Sequence, residues 1–225
     1  CPLKVVEIPD INDLVEGKNN LNILKNFSIE DIADRSIIDT IDISENYFKS
    51  KTVLVTGGGG SIGSVLAEEI ALKNPKKLIL LDNSEIALFN IKNKLVKLFN
   101  NIELECYLID LKDKEITKSF FKNNKIDFVY HAAAYKHVGL VNENIRSAIT
   151  NNINGFINVL NGVEENQIKH LTLISTDKAA SPTTIMGMTK RVCEKILIHE
   201  YHKSENSFFS AVRFGNVFNS SGSVI

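Results

Sequence analysis

Residues 51–82 read KTVLVTGGGGSIGSVLAEEIALKNPKKLILLD and carry the clearest structural pattern of the chain. An apolar run at 53–55 predicts a buried parallel strand, and four consecutive glycines follow soon after it. From Ser61 the apolar residues recur with a helical period, and a second apolar run at 78–81 ends in Asp82. The order of strand, glycine turn, helix, strand and acid predicts a dinucleotide-binding unit.

The glycine turn contains the spacing G-x-x-G-x-x-G at Gly57, Gly60 and Gly63. A pyrophosphate binds to the bare N–H groups of a helix start, and a Cβ on the turn would block its approach. The predicted cofactor-binding residues of this turn are Thr56, Gly57, Gly60, Ser61, Ile62 and Gly63. The alternative is a glycine turn that binds no phosphate.

Asp82 follows the turn by about 20 residues, where a carboxylate accepts hydrogen bonds from the ribose hydroxyls of a dinucleotide. Asp82 would repel a 2′-phosphate, and the residues Asn83, Ser84 and Glu85 include no arginine that could receive one. We therefore predict NAD as the cofactor.

The composition is that of an ordinary globular protein, with 44% hydrophobic and 24% charged residues among 225 and a net charge of −1. The lysines are spread along the chain, so we predict no nucleic-acid partner. The three cysteines lack metal-ligand spacing, which favours a reducing compartment and predicts no metal site. We expect a cytoplasmic protein, because the sequence shows no signal peptide and no bilayer-spanning apolar run.

From Lys51 onward, strand-like and helix-like segments alternate, which predicts a Rossmann-like, doubly wound α/β fold with a parallel sheet. The predicted strands cover 52–56, 77–82, 103–109, 126–131, 170–175 and 208–214. The predicted helices cover 61–73, 84–98, 113–123, 141–165 and 185–203. Ligands bind such sheets at the carboxyl ends of the strands, so the functional residues are expected there.

The sequence predicts two parts, an N-terminal linking segment at 1–48 and an NAD-binding Rossmann domain at 49–225. The first part contains no glycine motif. The chain starts at Cys1 rather than at a methionine, and it stops in an apolar stretch at Val224 and Ile225. We therefore expect a fragment of a longer protein, truncated at its C-terminus and lacking most of a substrate domain.

Each of two polar residues, Asp110 and Asn152, has two possible roles. Asp110 follows the third strand and could reach the adenine of the cofactor or cap the next helix. Asn152 lies within a predicted helix, where its amide could bond the backbone or take part in catalysis.

The fourth strand ends at His131 and is followed by Ala132, Ala133 and Ala134. Three small residues at this place predict a wall beside a flat cofactor, and the alternative is an ordinary tight turn. Lys136 follows where the cleft should open.

The fifth and sixth strands end in further polar residues. Thr176, Asp177 and Lys178 follow the fifth strand, and gathering such groups is costly unless they face a site or water. A pair of opposite charges on a surface loop is the alternative.

Met186 and Lys190 are four residues apart, so they share one face of the following helix. Asn216 follows the sixth strand and is expected to point into the cleft.

These motifs resemble the extended short-chain dehydrogenase/reductase superfamily. That superfamily has TGxxGxxG, an acid after the second strand, Ser or Thr after the fifth, and Tyr-x-x-x-Lys on the next helix. Here Met186 stands where the tyrosine should be. HAAAYKHV at 131–138, STDKAASPTTIMGMTKR at 175–191 and VRFGNV at 212–217 resemble the CapD-like polysaccharide-biosynthesis branch.

The resemblance implies a nucleotide-sugar 4,6-dehydratase that acts on UDP-N-acetylglucosamine with tightly bound NAD. It assigns Thr176 to the C4 oxygen, Asp177 to the acid at O6 and Lys178 to the base at C5. Met186 would pack against sugar or nicotinamide while a water or a neighbouring group takes the O4 proton. Lys190 would bind the nicotinamide ribose, and Lys136 and Asn216 would contact the nucleotide sugar.

The resemblance also implies a membrane-spanning part upstream of this chain, which would place the full-length protein at the inner face of the cell membrane. We also predict a homo-oligomer. Three alternatives remain: a nucleotide-sugar 4-epimerase, a non-catalytic NAD-binding module and an alcohol dehydrogenase that releases its cofactor. Met186 argues against the epimerase, since that chemistry normally uses the tyrosine.

Overall fold

Alternate residues of the first strand are buried on opposite faces of one parallel sheet.

The computed structural model describes residues 47–203 and 207–217, within a unit that spans Ser44–Ile225. The predictions made for residues 1–46 and for the chain end at 218–225 lie outside the described residues. The predicted division at residue 48 stays a prediction.

The strands are β1 (Thr52–Thr56), β2 (Lys77–Asp82), β3 (Glu103–Leu108), β4 (Phe128–His131), β5 (His170–Thr176) and β6 (Phe208–Phe214). The α-helices are α1 (Ser61–Leu72), α2 (Glu85–Leu98), α3 (Lys114–Asn123), α4 (Val138–Glu143), α5 (Ile145–Ile149), α6 (Gly155–Glu165) and α7 (Ile185–Lys203). A π-helical turn at Thr150–Asn154 joins α5 to α6, and a 3₁₀ turn at Asp177–Ala179 follows β5.

The six strands form one sheet in the order β3-β2-β1-β4-β5-β6, and every pairing is parallel. The strand order reverses between β1 and β4, which opens a crevice at their carboxyl ends. The doubly wound Rossmann-like prediction is therefore confirmed, and the crevice lies where the glycine turn begins.

Helices cover both faces of the sheet because the central strand β1 is apolar at each of the positions 53–55 and buried along its whole length. Leu54 points to the face packed by α3, α6 and α7, whereas Val53 and Val55 point to the face packed by α1 and α2. All three side chains are fully buried. The strand whose carboxyl end borders the crevice is therefore packed on both of its faces.

The predicted single helix at 141–165 differs from the structure. Helical structure begins earlier, at Val138, and α4 is separated from α5 at Asn144, whose backbone angles of φ −129° and ψ 53° are not helical. The π-helical turn then widens the following helix at Asn152. Such turns are rare and frequently accompany functional sites.

Candidate active site

The glycine turn is packed tightly against the segment that follows β4. Gly57 has φ +67°, a conformation that L side chains rarely adopt, and a Cβ there would lie 2.6 Å from the backbone nitrogen of Ala133. A Cβ on Gly63 would overlap the carbonyl oxygen of Gly57. These two glycines are therefore required for the close packing of the turn itself.

The carboxylate of Asp82 is oriented by two backbone groups. Its Oδ2 accepts from the N–H of Gly59 and its Oδ1 accepts from the N–H of Ser84, each at 2.9 Å. The acid is partly buried at the carboxyl end of β2. A carboxylate held in this way beside the turn can accept the ribose hydroxyls of a dinucleotide.

A cavity of about 1110 Å³ opens at the carboxyl edge of the sheet, between the start of α1, the segment after β4, the end of β5 and the start of α7. Its volume lies slightly above the usual range of ligand sites, roughly 300–1,000 Å³. The predicted site residues that line it are Gly60, Ser61, Ile62, Gly63, Ala132, Ala134, Lys136, Thr176, Lys178, Met186, Lys190 and Asn216. The fold thus brings most of the candidates together from across the chain.

Two predicted cofactor residues, Thr56 and Ala133, do not line the cavity. Thr56 is fully buried, and its hydroxyl lies 2.8 Å from Nδ1 of His131, so it joins the start of the glycine turn to the end of β4. Ala133 packs against the core and against Gly57, and the small wall that faces the cavity consists of Ala132 and Ala134. Both differences arise because neighbouring residues on an extended chain point to opposite sides.

His131 is buried and uncharged. Burial, with a smaller contribution from the charge of Lys190, lowers its pKa from 6.5 to about 3. Its hydrogen bond to Thr56 ties the end of β4 to the end of β1.

The two residues whose roles were open both hydrogen-bond to the backbone, while an adenine contact of Asp110 and a catalytic role of Asn152 stay predictions. Asp110 accepts the N–H of Lys112 at 3.0 Å and pairs with the Nζ of Lys112 at 3.0 Å, whereas the cap of α3 is Asp113. Asn152 accepts the N–H of Tyr135 at 2.7 Å and donates to the carbonyl oxygen of Tyr135 at 3.1 Å. Asn152 therefore anchors the loop that forms one wall of the cavity.

Lys136 extends from that loop toward the start of α1. Its Nζ lies 3.4 Å from Oγ of Ser61, the first residue of the helix. A positive side chain beside a positive helix end favours a bound anion.

The polar triplet after β5 forms a connected cluster. Nζ of Lys178 contacts Oδ1 of Asp177 and Oδ1 of Asn216, each at 3.1 Å, and the hydroxyl of Thr176 donates to Asp177 at 3.0 Å. This cluster joins the ends of β5 and β6.

Asp177 is exposed to solvent and paired with a cation. Its side chain is 55% exposed, and hydrogen bonds from Lys178 and Thr176 hold its pKa below the usual value of 3.8. A carboxylate paired with a cation in contact with water keeps its charge, because pairing is not opposed by much desolvation.

Met186 and Lys190 lie on the inner face of α7, as their spacing predicts. Met186 is buried against Val141 and Ala148. Lys190 is buried as well, and its Nζ donates to the carbonyl oxygen of Ile174 at 2.8 Å. Burial lowers the pKa of Lys190.

Sequence reasoning missed Glu194, one turn beyond Lys190. Its buried carboxylate accepts from Oγ of Ser175 at 2.6 Å and from Nε and Nη2 of Arg213 at 2.8 and 2.7 Å. Arg213 holds the pKa of Glu194 down at about 2. The available signal was a glutamate four residues after Lys190, on the same buried helix face.

No helix in the described part of the chain is both long and apolar enough to cross a membrane.

Comparison with known proteins places these features in a common family. A family model described as "Polysaccharide biosynthesis protein" matches residues 53–225. The chain is 37% identical over 230 residues to the capsular polysaccharide biosynthesis protein CapD of Staphylococcus aureus, covering 100% of this chain and 38% of CapD. It is 35% identical to a UDP-N-acetylglucosamine 4,6-dehydratase (inverting) of Campylobacter jejuni, covering 79% of this chain and 52% of that enzyme.

A UDP-glucose 4-epimerase of Rickettsia massiliae is similar as well, at 34% identity over 79% of this chain and 52% of that protein. Among solved structures, Pen from Bacillus thuringiensis superimposes with a TM-score of 0.72 at 32% identity, covering 79% of this chain and 54% of Pen. The chain thus spans about half or less of the length of these proteins.

The parallel sheet, the glycine turn and the strand-end cavity define a Rossmann-type protein of the short-chain dehydrogenase/reductase superfamily. Within that class, the chain belongs to the polysaccharide biosynthesis protein family, and its relatives include CapD and a UDP-N-acetylglucosamine 4,6-dehydratase.

Proposed function

We propose that this chain is the NAD-binding part of a nucleotide-sugar 4,6-dehydratase that acts on UDP-N-acetylglucosamine in surface-polysaccharide biosynthesis. The observation that carries the proposal is the contact of Lys178 with Asn216, at 3.1 Å, in the cavity that Met186 and Lys190 also line. Oxidation of a sugar hydroxyl alone needs one proton acceptor. A dehydratase needs a second base and an acid as well, and Lys178 and Asp177 can supply them.

The residues at the first strand–helix turn fit a dinucleotide. Gly60 is the N-cap of α1 and supplies no side-chain cap, and both Gly60 and Ser61 line the cavity. Asp82 would accept the ribose hydroxyls at the adenosine end, and Lys190 would donate to those at the nicotinamide end. When bound, NAD would supply a hydride acceptor and donor.

The chain's own side chains would then move the protons of the elimination. Lys178, as a neutral amine, would take the C5 proton of the sugar, and Asp177, as a neutral acid, would give its proton to the departing O6. Thr176 would hold the C4 oxygen through its hydroxyl. Met186 carries no titratable group, so the O4 proton would pass to a water or a neighbouring group.

The Lys178–Asp177 ion pair contains the right number of protons for both roles. Transfer of one proton from Nζ to Oδ1 across their 3.1 Å contact makes a neutral amine and a neutral acid. The elimination restores the charged pair, because the amine gains the C5 proton and the acid loses one to O6. Hydrogen bonds from Lys178 and Thr176 lower the pKa of Asp177 and so favour its charged form, and substrate would have to displace water before the transfer.

A nucleotide-sugar 4-epimerase is the second candidate, favoured by the name of the Rickettsia relative. It would also remove hydride from C4 but return it there, and it would not need an acid at O6. Methionine at position 186 argues against it in this chain, because the base that an epimerase normally uses at O4 is missing.

The test is mass spectrometry of UDP-N-acetylglucosamine after incubation with the complete protein that contains this chain. Loss of one water with no net formation of NADH is the expected result. Unchanged mass with inverted C4 configuration would instead indicate an epimerase. Unchanged substrate with NAD still bound would indicate a binding module.

Lys178→Ala should abolish water loss, and Lys169→Ala is the matched control. Lys169 is an exposed lysine that lies just before the opposite end of the same strand. Equal water loss by both variants would remove Lys178 from the mechanism. The predicted homo-oligomer and the upstream membrane-spanning part stay predictions.

A further inference from the structure

The carboxylate of Glu194 sits between the two strands whose ends carry the polar cluster. Ser175 on β5 and Arg213 on β6 are register partners in the sheet, and both donate to Glu194. Arg213 does so with two nitrogens, in the planar geometry that matches a carboxylate. One side chain of α7 thus clamps two neighbouring strands at their carboxyl ends.

Each clamped residue is close in sequence to a residue of the polar cluster. Ser175 directly precedes Thr176, Asp177 and Lys178, and Arg213 lies three residues before Asn216. The contact of Lys178 with Asn216 therefore depends on the relative position of two strand ends that Glu194 holds. We infer that Glu194 is a positioning residue that sets the Lys178–Asn216 contact through Ser175 and Arg213.

Glu194 itself is buried, with 3% of its surface exposed, and the cavity lining includes Ser175 but not Glu194. It cannot touch a substrate, so it acts through its partners. A buried charge of this kind is strongly destabilising when one partner is removed. The hydrogen bonds from Arg213 keep its pKa at about 2, so the clamp stays charged at every pH used for an assay.

Arg191 provides a matched control within the same cluster. Its Nη1 also contacts Glu194, at 3.2 Å, but Arg191 lies three residues earlier on the same helix. Its loss removes a bond to the carboxylate without disconnecting either strand. Arg191→Lys and Arg213→Lys therefore change the same kind of contact, and only the second one loosens β6.

The experiment measures Lys178 directly, by NMR of the chain labelled with ¹³C-lysine, with the Lys178 signal identified by its disappearance in Lys178→Arg. Glu194→Gln and Arg213→Lys should shift the ε-carbon signal of Lys178 toward that of Asn216→Ala. Arg191→Lys should leave the signal where it is. If Glu194→Gln does not fold, Arg213→Lys still decides, because Arg213 is partly exposed and remains charged as lysine.

The catalytic consequence rests on the proposed function. In the complete protein, Arg213→Lys should lower kcat by roughly 10- to 100-fold with little change in KM, since misplacing a base affects the chemical step more than binding. A merely structural clamp would lower the melting temperature and leave the Lys178 signal and the ratio of kcat to KM unchanged. That result would overturn the inference.

The two readouts separate the two hypotheses. If the protein shows no dehydratase activity but the Lys178 signal moves as expected, the positioning role holds and the proposed function fails. If water loss occurs and the Lys178 signal is the same in Arg213→Lys and Arg191→Lys, the positioning role fails alone.

Discussion

Lys190 donates a hydrogen bond from Nζ to the backbone carbonyl oxygen of Ile174, 2.8 Å away, and so joins α7 to the end of β5. Among the described α7 residues, those that line the cavity are Met186 and Lys190. The lysine is thus the only ionisable group that this helix presents there, within the described residues. Its burial lowers its pKa, so its ammonium group releases a proton more readily than that of a surface lysine.

Lys190→Met should strongly lower turnover by the complete protein. The loss should be roughly 10²- to 10⁴-fold, the range for removal of a positioned ionisable group. Methionine has a similar length, so the protein should still fold, with about 1–3 kcal/mol lost because Ile174 loses its donor. Lys195→Met, at an exposed position on the same helix, is the control for turnover and melting temperature. Equal turnover by the Lys190→Met and Lys195→Met variants would exclude a role of Lys190 in catalysis.

Gly57→Ala should destabilise the chain even without a cofactor. The left-handed backbone costs a side chain roughly 1–2 kcal/mol, and the new Cβ would also collide with Ala133. Gly139→Ala is the matched control, because a Cβ there meets nothing within 4 Å and the position lies inside α4. We expect that control to gain about 0.4–1 kcal/mol. Urea unfolding of both variants measures the difference, and equal midpoints would contradict it.

Asp82→Asn should weaken NAD binding by about tenfold or more, because hydrogen bonds to a charged acceptor contribute roughly 1.5–3 kcal/mol. The loss of charge should also reduce the preference for NAD over NADP. Isothermal titration with both dinucleotides tests this. Glu85→Gln, three residues later and exposed, should bind NAD as the unmodified chain does. An unchanged affinity in Asp82→Asn would place the ribose elsewhere.

Asn152→Ala should release the loop that carries Tyr135. Both backbone groups of Tyr135 lose their partner, and the buried amide is not replaced, so we expect a cost of about 1–3 kcal/mol for each group left unpaired. Hydrogen exchange should rise at Tyr135 and its neighbours. Asn154→Ala, an exposed residue of the same π-helical turn, is the control. Unchanged exchange at Tyr135 in the first variant would refute the anchoring role.

The free energy of unfolding should fall as the pH falls below 6.5, because of His131. Its pKa is 6.5 when exposed and about 3 in the folded chain, so within that window the unfolded state binds a proton that the folded state cannot. The full contribution is present above pH 6.5. Between pH 6.5 and 5 the loss should reach about 1–2 kcal/mol, at 1.36 kcal/mol for each pH unit.

His131→Asn removes this titration while keeping an acceptor or donor near Thr56. Its stability should be lower at neutral pH, because the ring is lost from the core, but its dependence on pH between 7 and 5 should be shallower. His199→Asn, an exposed histidine on α7, should retain the slope of the unmodified chain. Parallel slopes for all three proteins would contradict the buried neutral histidine. Glu194 does not interfere, since its pKa of about 2 places its effect below pH 4.5.

The sequence alone determined the Rossmann class and the position of the site along the chain. Residues 53–55 and 78–81 are apolar at every position, and α1 repeats with a helical period, so local patterns identify both strands and the helix between them. Gly57 and Asp82 could be assigned because turn geometry and charge act over short distances. Met186 and Lys190 could be placed together because a helix brings residues four apart to one face.

Tertiary structure alone decided which of the candidates face the cavity. Thr56 pairs with His131 across 75 residues of sequence, and Glu194 joins Ser175 to Arg213 on two different strands. The exposure of Asp177 depends on how the end of β5 meets solvent, and this exposure leaves the hydrogen bonds from Lys178 and Thr176 to set the direction of its pKa shift. Burial and contacts between residues distant in sequence depend on the packing of the whole molecule, so no local pattern in the sequence predicts them.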